Sequence, residues 1–222
     1  LNETERTYVF DSTMNLLTET LQKAVRNKQA DGFRAGGLYI QPFSIFKTHF
    51  QKHKIQFDFS VLIGAKGALE DNANAFDFSK AKRNMYRFSE EVEIENRNGA
   101  YTEYALRFAE ITFFPRILNS FFYRLTNNSA ARQKFGDGSS THNQIIVPNA
   151  GKFSAMETFS IEMLNEVKFF IYLKELRQNN YLHIISHPKL VSENSLQLFN
   201  KLLQKISIAD KTEFDFKQFK VN

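Results

Sequence analysis

Four short stretches of this chain hold side chains suited to chemistry. In Ile184-Ile185-Ser186-His187-Pro188-Lys189 a strand delivers His187 to its C-terminal end and Pro188 stops the strand. Active sites of α/β sheets and barrels lie at those ends, and an imidazole there suits general acid or base work near neutral pH; the plainer reading is a loop histidine bonded to backbone. Phe33-Arg34-Ala35-Gly36-Gly37 puts a guanidinium and two glycines at another strand end. Arg34 can orient a carboxylate bidentately while Gly36 and Gly37 let backbone approach a ligand, or the stretch is a tight turn with an exposed arginine. Asp58 lies between Phe57 and Phe59 on a strand, where burial is costly unless a partner such as Arg34 meets it, or it faces solvent at the strand end. His49 and His53 share a helix face at metal-ligand spacing, but Phe50 breaks the zinc-protease signature and Lys47, Lys52 and Lys54 crowd the face with positive charge. A solvated face is the expectation there, with no metal ligands.

Composition bounds the rest. The chain has 222 residues, 42% hydrophobic and 24% charged, which is the balance of a folded globular protein. Zero Cys excludes disulfides, thiolate catalysis and sulfur-ligated zinc. No apolar run approaches the ~20 residues of a membrane span, so membrane contact is not expected. Lys and Arg number 29 against 24 acids, giving +5. The excess is scattered, with Lys80, Lys82 and Arg83 the densest cluster, and argues against nucleic acid as a partner. Phe is abundant at 24 residues and Trp is absent, so any sugar platform must be Phe or Tyr, with Tyr39, Tyr101 and Tyr104 as candidates.

The elements that must position these residues follow from spacing. Asp11 or Ser12 is expected to cap a helix with Leu16, Leu17, Leu21, Ala24 and Val25 on one face. A strand over 33–40, a helix opened by Pro42 with Phe43, Phe46 and Phe50 in phase, and a buried strand over 55–61 follow. This alternation predicts an α/β fold with parallel strands. A loop over 64–74, short strands over 86–88 and 92–94, and a longer strand over 100–108 come next. Pro115 is expected to start a helix through Leu125 that serves as core, lid or docking surface, and 134–143 reads as a loop. A helix over 160–177 with Ile161, Leu164, Val167, Phe170, Ile171 and Leu173 inward leads to a strand over 181–185. Ser192 caps a last helix carrying Leu196, Phe199, Leu202, Leu203 and Ile206, and Phe214, Phe216 and Phe219 close the chain.

The order of these features resembles the C-terminal two-thirds of polysaccharide deacetylases of the NodB-homology class, in particular divergent bacterial members linked to surface polysaccharides. Phe33-Arg34-Ala35-Gly36-Gly37 is similar to the family's third motif, Asp58 falls at its fourth, and Ile184 with His187 matches the hydrophobic-x-x-His pattern of its fifth. The resemblance implies a single α/β domain over 1–222, a partial or irregular (β/α) barrel. It implies a carbohydrate N-deacetylase dependent on a divalent metal, zinc foremost. His187 would be general acid, Arg34 would orient a base aspartate, Asp58 would be the third catalytic residue, and Gly36, Gly37, Tyr39 and Ile184 would line the substrate. The family's first two motifs, which carry its metal ligands, have no counterpart ahead of Arg34. The ligands are therefore expected outside this chain, or the chain is a degenerate, non-catalytic carbohydrate-binding or assembly protein.

Overall fold

The computed structural model describes residues 2–25, 28–68, 76–115, 117–118, 144–146, 155–179, 181–187 and 191–207. Backbone contacts gather the chain into two compact units, Leu1–Ala105 and Leu106–Asn222.

The first unit contains α1 (Glu3–Ala24), β1 (Gly32–Phe33), α2 (Ser44–His53), β2 (Phe57–Asp58), β3 (Lys66–Ala68), β4 (Phe76–Asp77), β5 (Met85–Phe88) and β6 (Tyr101–Tyr104). Its main sheet runs β1-β2-β6-β5. The first three strands are parallel and β5 joins antiparallel. The β1–α2–β2 succession is the expected alternation of strand and helix. Strand β1 is shorter than its expected span, because a single 3-10 turn at Gly36–Leu38 replaces its second half. Residues 92–94 form a turn rather than a strand, and the carbonyl of Val92 accepts a hydrogen bond from the buried Tyr86 hydroxyl. In the expected loop, β3 pairs with β4, and Gly67 is required there: an added Cβ would lie 2.3 Å from the Phe76 ring.

The core of this unit is aromatic. Phe43 and Phe50 stand near edge-on to one another at 5.1 Å. Phe43 meets Phe88 and Tyr101 at 5.0 and 5.3 Å, and Phe50 meets Phe33 at 5.4 Å. The helical spacing of α2 thus lays one face on the sheet, and edge-to-face geometry adds to the area buried.

Helix α1 begins earlier than expected. Asn2 caps it in a reciprocal box with Glu5, each backbone N–H donating to the other's side chain at 2.9 Å. Its expected inward stripe is exposed, with Leu16 at 65% and Leu17 at 48%. The physical reason is length: α2 has 10 residues against 22 in α1. Contact centres on Phe10, Asp11 and Met14, with Phe10 stacked on His49 at 4.6 Å.

The second unit contains β7 (Phe108–Ile111), β8 (Gln144–Ile146), β9 (Ala155–Thr158), α3 (Glu166–Asn179) and α4 (Glu193–Ser207). The expected strand over 100–108 is thus divided into β6 and β7. Strand β7 pairs antiparallel with β9. The strand expected over 181–185 is not formed: one isolated parallel bridge, Ser160 to Ile185, stands in its place. Phe159, Leu164, Tyr172, Leu198 and Leu202 form the core, with Phe169, Ile171 and Ile184 packed against it. Ser192 caps α4 as expected, its hydroxyl accepting from the Ser195 backbone N–H at 3.2 Å. Helix α3 is rotated from its expected phase. Phe170 is 69% exposed, while Lys168 and Tyr172 are buried. The Tyr172 hydroxyl donates to the Ser160 carbonyl at 3.0 Å and accepts its N–H at 2.8 Å, and Lys168 pairs with Glu157. Phe113, Phe114, Ile117 and Leu118 are exposed. The rest of the helix expected to reach Leu125, the loop over 134–143 and the terminal Phe214, Phe216 and Phe219 lie outside the described residues.

Phe50 is fully enclosed and touches three other rings, those of Phe33, Phe43 and Tyr101. Phe50→Ala should destabilise the chain by about 3–5 kcal/mol, the range for a large ring lost from a core. Denaturant unfolding should show an earlier midpoint with unchanged slope.

Candidate functional site

Two neighbourhoods carry the residues singled out by sequence, one in each unit. In the second unit the parallel bridge Ser160↔Ile185 sets a register, with the Ile185 N–H donating to the Phe159 carbonyl and the Ile161 N–H to the Ile185 carbonyl, both at 3.0 Å. Two residues beyond each bridge partner stand Glu162 and His187, brought side by side. The Glu162 side chain is 5% exposed. It accepts His187 Nδ1–H at 2.5 Å and the His187 backbone N–H at 3.3 Å. A buried carboxylate needs such donors, and its acceptance fixes the proton on Nδ1. The His187 side chain is 56% exposed. A carboxylate–imidazole pair of this kind can hand a proton to, or take one from, a bound molecule. Glu162 was not singled out by sequence, since its link to His187 depends on a register that spacing does not encode. Ile184 packs on the core of this unit. A groove of about 520 Å³ lies between β7 and α3, floored by Val167 and Ile171, with Phe170 at its side.

In the first unit Asp58, Arg34 and the two glycines gather at the C-terminal ends of β1 and β2. Asp58 is fully buried and stands directly opposite Glu103 of β6. Arg34 is on the surface, so the partners that meet Asp58 are others. The Ser60 hydroxyl donates to Asp58 Oδ1 at 2.7 Å and accepts the Ala35 N–H at 2.8 Å. Glu103 Oε1 accepts the Val61 N–H at 3.0 Å. The two carboxyls hydrogen-bond to each other, while Asp58 Oδ2 and Glu103 Oε2 have no other donor. One proton held between them meets both oxygens. Burial, and then the Asp58 charge, push Glu103 well above the usual carboxylate range. Burial likewise raises Asp58.

The turn fastened by Ala35 is strained. Gly37 and Leu38 have φ of 61° and 68°, and Leu38 is not glycine. A left-handed leucine costs of order 1–3 kcal/mol and persists only where its surroundings hold it. Leu38 is buried, and its N–H donates to the Ala35 carbonyl at 3.3 Å. Gly37 is required by its φ, whereas a Cβ on Gly36 would meet open space. Tyr39 is half-buried beside this turn. Tyr101 and Tyr104 are buried, which corrects their reading as sugar platforms.

His49 and His53 do not face solvent as expected. Their side chains are 12% and 10% exposed and close on Asp11 of α1. Asp11 Oδ1 lies 2.6 Å from His53 Nε2 and 3.6 Å from His49 Nδ1, and Oδ2 lies 2.7 Å from Lys52 Nζ. This cluster does not fit the divalent metal that the family resemblance implies. A separation of 2.6 Å is a direct hydrogen bond. It is shorter than the roughly 3.3 Å between two ligands of a tetrahedral zinc. The Lys52 ammonium is the cation that Asp11 holds. Among the described residues no group of three His, Cys, Asp or Glu side chains could hold a metal ion.

No family model, curated protein or solved structure matches the chain.

Hydrogen bonds from Lys52 and then His53 lower the Asp11 carboxyl to about 2. A carboxyl lowered in the fold gives stability that is present above its unfolded value and lost as pH falls through the folded one. Asp11→Asn should cost about 1 kcal/mol at neutral pH, small because Lys52 is largely exposed. Acid titration of the variant should show a shallower loss of stability from about pH 4 to pH 2.

Proposed function

We propose that this chain acts on carbohydrate as a hydrolase of the polysaccharide-deacetylase type, with His187 as the general acid. The observation that supports it is the Glu162–His187 pair, a solvent-exposed imidazole held by a buried carboxylate two residues past an isolated parallel bridge. Glu162 was named by neither the motifs nor the resemblance, yet it supplies what a general acid needs: a fixed ring on an exposed side chain. In hydrolysis of an N-acetyl group, water adds to the carbonyl carbon and the C–N bond breaks. The departing amine takes the Nε2 proton, and the imidazole regains one from the proton released by the water. Glu162 stabilises the imidazolium at the moments when the ring is charged. In the second unit Phe170 offers an exposed ring face beside the groove, in a chain without Trp. Within the first unit, as a separate surface, Arg34 and the turn after it offer a rim for polar groups of a ligand.

Acetate release from N-acetylglucosamine oligomers tests the reading. His187→Ala should lose about 10²–10⁴ of the rate. Glu162→Gln should lose less, because the ring loses the carboxylate that holds it. His187→Ala should unfold within about 1 kcal/mol of the wild type, as exposed-site changes do. Oligosaccharide binding by the wild-type chain without acetate release overturns the hydrolytic role and leaves the non-catalytic carbohydrate-binding reading.

A further inference from the structure

The polar network under the Arg34–Leu38 turn couples a titratable pair to a strained loop. From the sheet outward, Val61 N–H binds Glu103, Glu103 shares a hydrogen bond with Asp58, Asp58 accepts from Ser60, and Ser60 accepts from Ala35. Ala35 is the residue before the turn whose next positions include the left-handed Gly37 and Leu38. The geometry points to a proton-operated latch: the proton shared by Asp58 and Glu103 decides whether Ser60 holds the Arg34–Leu38 turn in place.

Among the described residues, Asp58 Oδ2 and Glu103 Oε2 meet no donor from another side chain. Strand β5 sets Tyr86 opposite Glu103, and the Tyr86 hydroxyl donates to the Val92 carbonyl. Strand β1 sets Phe33 beside Asp58. The α2 rings covering that face are Phe43 and Phe50, which carry no charge. Arg34, the nearest cation along β1, is exposed. With one proton present, each carboxyl has a partner. With none, two anions sit opposed in an apolar core, and the cheapest relief is to let water in at the strand ends, where Ser60 and the strained turn are fastened. Removing the proton therefore releases the turn. A group whose folded pKa is raised gives its stability at low pH and loses it as pH rises, so the latch is closed in acid and opens towards alkali.

This rests on reading the turn as a rim for ligand, but the latch is measurable without any ligand. The test is amide hydrogen exchange of Ala35 and Val61 in the full chain from about pH 5 to pH 9, corrected for intrinsic rates. Wild-type protection at both amides should fall with pH, approaching about tenfold per unit once the pair titrates. Glu103→Gln keeps a donor towards Asp58 and cannot ionise, so its protection should stay level. Asp58→Asn should behave alike, and it stands in if the first variant fails to fold. A level wild-type profile, or a variant profile that falls in parallel with wild type, overturns the latch. Measuring N-acetylglucosamine oligomer affinity over the same range separates the two readings. Affinity falling together with protection supports both. Protection that falls while affinity is absent or constant keeps the latch and removes the rim.

Discussion

The first unit depends on a hydrogen bond between two acids. Asp58 and Glu103 are wholly buried and opposed on neighbouring parallel strands, and they can remain so only by sharing a proton. Desolvation makes this costly, and a pair of apolar side chains would bury more easily. What the acids add is definition. Glu103 reaches the backbone after β2 at Val61, and Asp58 reaches, through Ser60, the backbone after β1 at Ala35. The ends of three parallel strands are thereby set relative to one another. A slip of one residue between β2 and β6 would turn one carboxyl to the opposite face and leave the other unpaired, so the pair also enforces register. The aromatic packing of α2 supplies the burial that makes the shared proton necessary. The strained turn at Gly37 and Leu38 is held against that same frame.

What could be read from sequence was periodic, and what could not was the pairing of distant strands. Phe43 and Phe50 announce α2 by spacing alone, Ser192 announces α4, and Asp58 between two Phe announces a buried acid. Its expected partner was the cation on the adjacent strand, yet the structure supplies a second acid from a strand beyond three intervening elements. Glu103 lies on the strand expected over 100–108, but periodicity names a face and never a neighbour. The same limit hid Glu162, two residues past a bridge that no local signal marks. Helix α3 failed for a different reason. Its buried face carries Lys168 and Tyr172, made tolerable by Glu157 and by the Ser160 backbone, so hydrophobicity counted Phe170 inward and these two outward. In α1 the apolar stripe was read as core because the sequence does not say how long its partner helix is.

Both neighbourhoods use one arrangement with different partners. Each places a buried carboxyl on or just past a parallel backbone pairing, a strand pair in the first unit and an isolated bridge in the second, where a backbone N–H of the neighbouring segment can reach it. In the first unit the partner is another carboxyl, closed off from water, so the proton between them has no easy exit and serves to set structure. In the second unit the partner is an imidazole more than half exposed, open to solvent. The difference in role follows from the exposure of the partner rather than from the acid itself. Burial on the Asp58 side turns a proton into a structural element, and access on the Glu162 side turns one into a reagent. That contrast separates a solvent-exposed imidazole at His187 from an enclosed, frame-setting carboxyl at Asp58, although sequence alone presented both as catalytic candidates.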